Sequence, residues 1–317
     1  MAGFQTNSTD HLIRANLWTA DLKMVLEDQM IGMQFVEMIT DFPDGDTMHL
    51  PSLGQAEVLD YAEGQAVRYT AMDTGNFTFS ITDYKASATY VTNKMKQDSY
   101  IMDRVVAAFV PSQNRAIMQA IEASIMALGP DAQTASNSNT INGGKHRFVA
   151  SGTNQVMTLK EFYLAKYALD VANVPATGRV AIVDPSVEVA INAITNLTNV
   201  SNNPTWDGII TTGMATGMRF LKNVYGFDVY VSMNLKSGIS ETIDAVSVTN
   251  GVANLFFSAA PEVLPFVGNI RQAPTVDSEY NKDLQRDEYI TTCRYGFKLY
   301  RPENMVVVLS DASRVYA

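Results

Sequence analysis

The segment that most constrains this fold is residues 51–97, PSLGQAEVLDYAEGQAVRYTAMDTGNFTFSITDYKASATYVTNKMKQ. Residues 77–82 alternate apolar and polar side chains, which is the period of two that a half-buried strand requires, and residues 86–91 continue the alternation. Residues 48–58 predict the partner strand. Two strands alone cannot bury a core between them. The pattern therefore predicts either a long two-stranded arm that lies on a neighbouring subunit or an ordinary hairpin of an antiparallel sheet.

The polar middle of this segment carries the residues that we predict to contact another subunit. Asp60, Glu63 and Arg68 are too polar to cover a core of their own. Glu57, Asp60 and Glu63 could also form a paired-carboxylate site, but catalytic carboxylates need rigid placement and partial burial, which a hairpin tip does not provide. We interpret these carboxylates as a solvated face or as partners for cations of a neighbouring subunit.

Composition excludes some classes of function. The chain has 317 residues, enough for one large domain or two smaller ones, and only 18% of them are charged. The net charge is −10, and Lys and Arg form no cluster of the kind that sequence-independent phosphate binding needs. We therefore expect no nucleic-acid-binding domain, and an acidic surface would suit a container whose nucleic acid must move.

Targeting signals and disulfides are not expected. The first residues, MAGFQTNSTDHLIRANLW, lack the basic and apolar regions of a signal peptide. No stretch approaches the 18 uninterrupted apolar residues that predict a membrane span. The single cysteine, Cys293, permits no intrachain disulfide.

Motifs for catalysis are missing from the sequence. It contains no P-loop, no G-x-G-x-x-G and no G-x-S-x-G. His11, His49 and His146 lack partners at metal-ligand spacing. Cys293 lies within a predicted strand at residues 290–295 and is interpreted as a buried, inert thiol. We therefore predict no catalytic, cofactor-binding or metal-binding residues, and a protein that is not an enzyme.

The rest of the chain predicts an α+β fold with a mixed sheet covered by helices. A helix is expected to begin near Asp98, to kink or break at Pro111 and to end at Gly129, so that two coaxial or kinked segments make one long helix. Beyond residue 156, helices and strands are expected to alternate. The predicted elements are a helix that begins with a capping box at Thr158 and Glu161, a buried strand at 178–183, a helix capped by Asp184, a helix over 212–224, and strands at 227–231, 252–258, 267–272, 295–299 and 305–309.

This order of features resembles the major capsid proteins of tailed bacteriophages, which have the Hong Kong 97-type coat fold. Five segments carry the resemblance: 50–97 resembles the extended loop, 98–128 the spine helix, VPATGRVAIVDPSV (174–187) the start of the axial domain, GFDVYVSMNL (226–235) its next strand and YGFKLYRPENMVVV (295–308) the closing segment. The resemblance implies four regions: an N-terminal arm at 1–43, an extended β-hairpin loop at 44–97, a peripheral domain at 98–154 completed by part of 270–294, and an axial domain at 155–317.

The resemblance also implies partners. Copies would form the hexamers and pentamers of an icosahedral shell around double-stranded DNA, which they would contact without sequence specificity. A portal and possibly cement proteins would join the virion, and assembly would occur in the cytoplasm of the host bacterium. Because the arm begins near Met1, we expect a separate scaffolding protein. Because no lysine lies between Asp60 and Arg68, we expect no covalent crosslink from the loop.

Three alternatives stay open at this stage. An encapsulin-type nanocompartment shell would share the same fold and enclose cargo enzymes. A soluble α/β enzyme could use Asp184 or Asp60, although no motif supports it. A tail or adhesion protein is disfavoured by the alternation of helices and strands in 156–235.

Overall fold

A computed structural model describes residues 31–40, 47–53, 60, 63–64, 66, 74–98, 102–192 and 220–314. Its helices are α1 (Asn93–Asp98), α2 (Met102–Ala132), α3 (Leu159–Val171) and α4 (Pro185–Asn192). Its strands are β1 (Val36–Met38), β2 (Thr47–Leu53), β3 (Thr74–Ser80), β4 (Asp83–Thr92), β5 (Thr140–Ile141), β6 (Gly144–Lys145), β7 (Arg147–Val149), β8 (Arg179–Val183), β9 (Phe220–Val224), β10 (Phe227–Val231), β11 (Ile239–Ile243), β12 (Val246–Ser258), β13 (Phe266–Asn281), β14 (Arg286–Leu299) and β15 (Val306–Asp311).

The first of two larger sheets has four strands in the order β1-β13-β14-β4. Strand β14 pairs antiparallel with both β13 and β4, and β1 pairs in parallel with β13. Alternate residues of β14, namely Thr291, Cys293 and Tyr295, are fully buried on the face that α2 covers. The hydroxyl oxygens of Tyr295 and Ser124 lie 3.1 Å apart, and Thr291 donates a hydrogen bond to Gln113 at 3.4 Å. The sheet therefore has one face under the helix and one face that α2 leaves open.

The second sheet has the strand order β7-β15-β12-β8-β10-β9, with β11 paired to β12. Its central strands are buried on both faces, which explains their nearly continuous apolar sequences. In β8, Val180 and Ile182 face α2, whereas Ala181 and Val183 face the cluster built by α3 and α4. The sheet is mixed, because β8 pairs in parallel with β10 and antiparallel with β12.

Local signals in the sequence account for the helices of this second unit. Thr158 and Glu161 form the expected capping box at the start of α3, and Asp184 accepts a hydrogen bond from the Ser186 amide at 2.9 Å at the start of α4. Burial opposes ionisation of Glu161, but hydrogen bonds from Ser151 and Thr158 outweigh it and lower the pKa of this carboxyl. The predicted capping box and cap are confirmed.

Two expectations about helices need correction. The predicted long helix is present as α2, which continues without a break through Pro111 but ends at Ala132 rather than at Gly129. Gly129 packs closely against β12, because a Cβ there would lie 2.7 Å from Leu255 Cδ2 and would displace that side chain. The helix predicted over 212–224 is wrong at Phe220–Val224, which form β9; residues 212–219 lie outside the described residues. The turn at Tyr225 and Gly226 has positive φ values of 51° and 87°, and it pairs β9 with β10 as a hairpin.

A buried polar cluster joins the end of α2 to the second sheet. The guanidinium of Arg147 donates to the carbonyl of Pro130 at 3.0 Å, which satisfies a backbone acceptor at the helix end, and it pairs with the Glu241 carboxylate at 2.7 Å. Gln133 donates to the carbonyls of His146 and Met305. These bonds fix the direction in which α2 leaves the second sheet.

His146 belongs to the same cluster and is fully buried. Its ring nitrogens lie 3.1 Å from the Gly144 carbonyl and 3.2 Å from the Glu303 carbonyl. Burial lowers the pKa of His146 below its ordinary value, against the opposing effect of those two carbonyls and of the Glu303 charge. The folded protein therefore keeps this imidazole neutral at pH values where the unfolded chain takes up a proton.

We predict that His146 makes the fold less stable as the pH falls below its unfolded pKa of 6.5, because the unfolded state then binds the additional proton. His146→Gln should remove this contribution, so its free energy of unfolding should depend less on pH than that of the parent between about pH 7.5 and 5.5. Urea unfolding at several pH values measures this. His49→Gln, at an exposed position, is the control, and parallel pH profiles for the parent and His146→Gln would contradict the prediction.

Candidate subunit interface

Within residues 51–97, the structure contains a hairpin in which β3 pairs with β2; we call this hairpin the arm. These strands pair antiparallel from Thr47 opposite Ser80 to Leu53 opposite Thr74, and they form a separate two-stranded sheet. The segment that follows, β4, leaves the hairpin and joins the four-stranded sheet through β14. The two-stranded part of 44–97 is thus β2 with β3, and β4 belongs to the body of the molecule.

The base of the arm is packed against the body. Phe79 and Ile81 are buried and form a small cluster with Val267 of β13. The ring of Phe77 meets that of Tyr300 edge to face, with centroids 4.9 Å apart. These apolar side chains are on one side of β3, as the alternation in residues 77–82 predicts.

Two further contacts hold the start of the arm in place. Lys298 donates to the Thr78 carbonyl at 2.6 Å, and its ammonium lies 4.8 Å from the centre of the Phe77 ring. The absence of a side chain at Gly296 of β14 lets the backbone at Ser80 approach it closely, because a Cβ there would lie 2.8 Å from the carbonyl oxygen of Ser80. The direction of the arm is therefore set at its base.

The tip of the arm has a different environment. The residues described there, Asp60, Glu63, Gly64 and Ala66, are all exposed. Gly64 has a φ of +86°, and a Cβ built on it meets no atom within 4 Å. Arg68 and Glu57 lie outside the described residues, so the structure does not test whether Asp60, Glu63 and Arg68 act together, and their role between subunits stays a prediction.

The four-stranded sheet also has an exposed apolar face. Tyr84 and Tyr90 of β4 are 60% and 57% exposed, and Ile290 of β14 is 38% exposed on the same side. The guanidinium of Arg286 stacks over the Tyr90 ring at 4.5 Å. Apolar side chains that are exposed next to one another commonly mark surfaces covered by another protein.

Groups that could perform chemistry have structural roles in the described part of the chain. His49 lies on the arm and shares a hydrogen bond with the Asn76 side chain at 3.0 Å, and His146 is buried as described. Burial raises the pKa of the Cys293 thiol, which is 3.1 Å from the Gln272 carbonyl. Among the described residues no group of His, Cys, Asp or Glu side chains could hold a metal ion, and no helix has the length and apolar character needed to cross a membrane. His11 lies outside those residues.

A buried carboxylate that sequence reasoning missed fixes the segment entering the fold from the N-terminal side. Glu122 of α2 is fully buried, and its oxygens accept hydrogen bonds from the Gly32 amide at 2.7 and 2.9 Å and from the Ile31 amide at 2.9 Å. Gly32 is required by this approach, because a Cβ there would lie 2.8 Å from Glu122 Oε2. The signal in the sequence was an acidic residue on the apolar face of α2.

The residues after Gly32 extend this contact to both sheets. Phe35 meets Tyr230 and Phe257 edge to face, with centroids 5.9 and 5.2 Å apart, and both partners belong to the second sheet. Val36 then starts β1 beside Phe266 at the edge of the four-stranded sheet. Residues 31–38 therefore bridge the helix and the two sheets.

Comparison with protein families supplies an identity for this architecture. Residues 76–308 match a family model described as phage capsid protein. Comparison with curated protein sequences gives no significant match.

Solved capsid structures share the fold. A chain from Mycobacterium phage Che8 has 18% identity and a TM-score of 0.69, over 92% of this chain and 95% of that one. A chain from the capsid of cyanophage P-SCSP1u has 12% identity and a TM-score of 0.72, over 93% and 92%. A chain from the capsid of cyanophage Pam1 has 12% identity and a TM-score of 0.68, over 99% and 100%. These matches confirm the predicted α+β fold of the Hong Kong 97 type.

We predict that Glu122→Ala destabilises the folded subunit by about 1–3 kcal/mol, because it leaves buried backbone amides without an acceptor. Gly32→Ala should destabilise the subunit by a similar amount, since the added Cβ displaces the same carboxylate. The double variant should therefore lose less stability than the sum of the two single losses. Urea unfolding of the single and double variants measures this. Glu262→Ala, at an exposed position, should change stability by less than about 0.5 kcal/mol. Additive effects of the two changes would contradict the linkage.

Proposed function

We infer how this protein works from one premise: the chain belongs to the phage capsid protein family and is a structural major capsid protein. As such it is a component of the virion, and its copies assemble into the capsid shell. The described residues suit a shell subunit, since they combine a packed core with apolar side chains that are exposed on the surface.

The central proposal is that the arm of β2 and β3 lies on a neighbouring subunit. The observation that carries it is the contrast along the arm: Phe79 and Ile81 are buried at the base, whereas Asp60 and Glu63 are exposed at the tip. A two-stranded sheet is only marginally stable in water unless a further strand or another layer packs against it. A neighbour would supply the missing layer, and Asp60, Glu63 and Arg68 would make contacts between subunits.

The division into regions follows from this. We propose an N-terminal arm at 1–43, an extended loop at 44–97 whose projecting part is the hairpin of β2 and β3, a peripheral domain at 98–154 completed by part of 270–294, and an axial domain at 155–317. Strands β13 and β14 support the shared peripheral unit, because they form a sheet with β4 beneath α2. The N-terminal arm would leave that unit at the Glu122 contact and reach another subunit.

The remaining partners are proposed from the family. Hexamers and pentamers would enclose double-stranded DNA, which the net charge of −10 disfavours as a tightly bound ligand. A separate scaffolding protein and a portal would take part, with cement proteins as an optional addition, and assembly would occur in the host bacterial cytoplasm. The family match gives no added support to an encapsulin-type shell. That the chain is not an enzyme stays a prediction, consistent with a structural family.

The experiment that tests the proposal replaces residues 60–68 by a Gly-Ser sequence of equal length. We predict that the variant subunit keeps the urea midpoint of the parent, because the described residues of the tip contribute no buried side chain. Co-expressed with the scaffolding protein, it should form no closed shells in negative-stain micrographs, whereas the parent should form them.

The matched control replaces residues 282–285, at the turn between β13 and β14, in the same manner. Its purpose is to show that a flexible replacement in an exposed turn does not by itself unfold the subunit. Closed shells of normal size from the 60–68 variant would contradict the proposal. A large fall in its urea midpoint would show instead that the tip is part of the subunit's own fold, which also contradicts it.

A further inference from the structure

An apolar groove beside the second sheet has no role in the contacts described so far. It lies between α3, strands β6 and β7, and the turn that joins β11 to β12, and it encloses about 500 Å³. Phe148, Val149, Leu164 and Ile243 contribute apolar side chains to it. This volume is within the range of about 300–1,000 Å³ that protein pockets for ligands have.

The walls of the groove are not fully packed within the subunit. Tyr167 of α3 is 56% exposed and Val246 of β12 is 41% exposed, and both line the groove. Ile243, by contrast, is only 2% exposed. The groove thus has a buried floor and an apolar rim that is exposed to water. Exposed apolar surfaces of this kind commonly mark sites where another protein binds.

The charges at the rim define what the partner should carry. Lys145 is paired with Asp244, with Nζ and Oδ2 2.8 Å apart. Lys160, on the other side, is exposed, and no ion pair to it is found in the described part of the chain. The groove therefore has one positive charge in excess and favours a segment that combines apolar side chains with carboxylates.

We propose that this groove receives the arm tip of a second copy of the chain. The tip sequence, LDYAE at residues 59–63, interleaves apolar side chains with the carboxylates of Asp60 and Glu63. Both carboxylates are exposed in the subunit. The inference rests on the proposed function, since it assumes that the arm lies on a neighbour, and it adds the place where the tip binds: apolar residues of the tip against Tyr167 and Val246, and a carboxylate beside Lys160.

The first experiment detects the contact directly in assembled shells. A carbodiimide joins a carboxylate to an amine only when the two are in contact, so treated shells should yield a peptide in which Lys160 is linked to Asp60 or Glu63. Lys160→Arg keeps the charge but presents no amine, and the linked peptide should vanish. Lys166→Arg is the matched control, because Lys166 is exposed on the same helix but does not line the groove, and the peptide should persist.

The second experiment tests whether the contact matters for assembly. Lys160→Glu should reduce the yield of closed shells roughly tenfold or more, because like charges facing each other across an interface are unfavourable. Combining it with Asp60→Lys and Glu63→Lys should restore the yield by reversing both sides. Lys166→Glu should leave the yield unchanged, and the unfolding midpoint of Lys160→Glu should match that of the parent.

The outcomes separate this proposal from the proposed function. If Lys160→Glu assembles normally, or if Asp60 and Glu63 become linked to residues elsewhere, the groove is not the binding site, although replacement of 60–68 can still abolish shells. Linkage of Lys160 to carboxylates outside the tip would mean that another segment occupies the groove, and this would also overturn the proposal. If replacement of 60–68 leaves shells intact, the proposed role of the arm is contradicted, and the proposed binding of its tip in the groove is contradicted with it.

Discussion

The packing of α2 between two sheets is the constraint on which the rest of the structure depends. Ile121 and Ile125 are fully buried in one apolar cluster that contains Tyr295 of the four-stranded sheet and Leu255 of the second sheet. The polar contacts of the helix occur at defined points, with Glu122 accepting backbone amides in its middle and Arg147 binding the Pro130 carbonyl near its end. Since a buried charge is costly without partners, these bonds fix the register of the surrounding segments as well as their contact.

The body built on this helix buries its own core, whereas the described residues of the arm are buried only at its base. The second sheet is covered on both faces, whereas the hairpin of β2 and β3 has a buried base and an exposed tip. Exposed Tyr84 and Tyr90 on the four-stranded sheet, and Tyr167 beside the groove, are further apolar surfaces that a single subunit leaves in water. A capsid subunit needs this division, because its body must fold before assembly while its contacts become favourable only in the shell.

Much of the fold could be predicted from the sequence because local chemistry agreed with the final structure. The capping box at Thr158 and the alternation in residues 77–82 each have a short-range cause and were confirmed. The failures had long-range causes. Phe220–Val224 form a strand because they pair with β10, and the neighbour of Gly129 inside α2 is Leu255 of the distant strand β12. Glu122 could not be assigned, since its partners are backbone amides about ninety residues away.

For the candidate interface, the sequence indicated which residues are exposed at the tip of the arm. It could not indicate the groove, because three separate segments of the chain build it.

Hydrogen–deuterium exchange tests most directly the central claim that a neighbouring subunit supplies the missing layer of the arm. The amides of β2 and β3 should exchange rapidly in the free subunit and slowly in assembled shells, whereas those of β8 and β15 should be protected in both states, because their strands lie in the interior of the second sheet. Equal protection of β2 and β3 in the two states, whether strong or weak, would contradict the account.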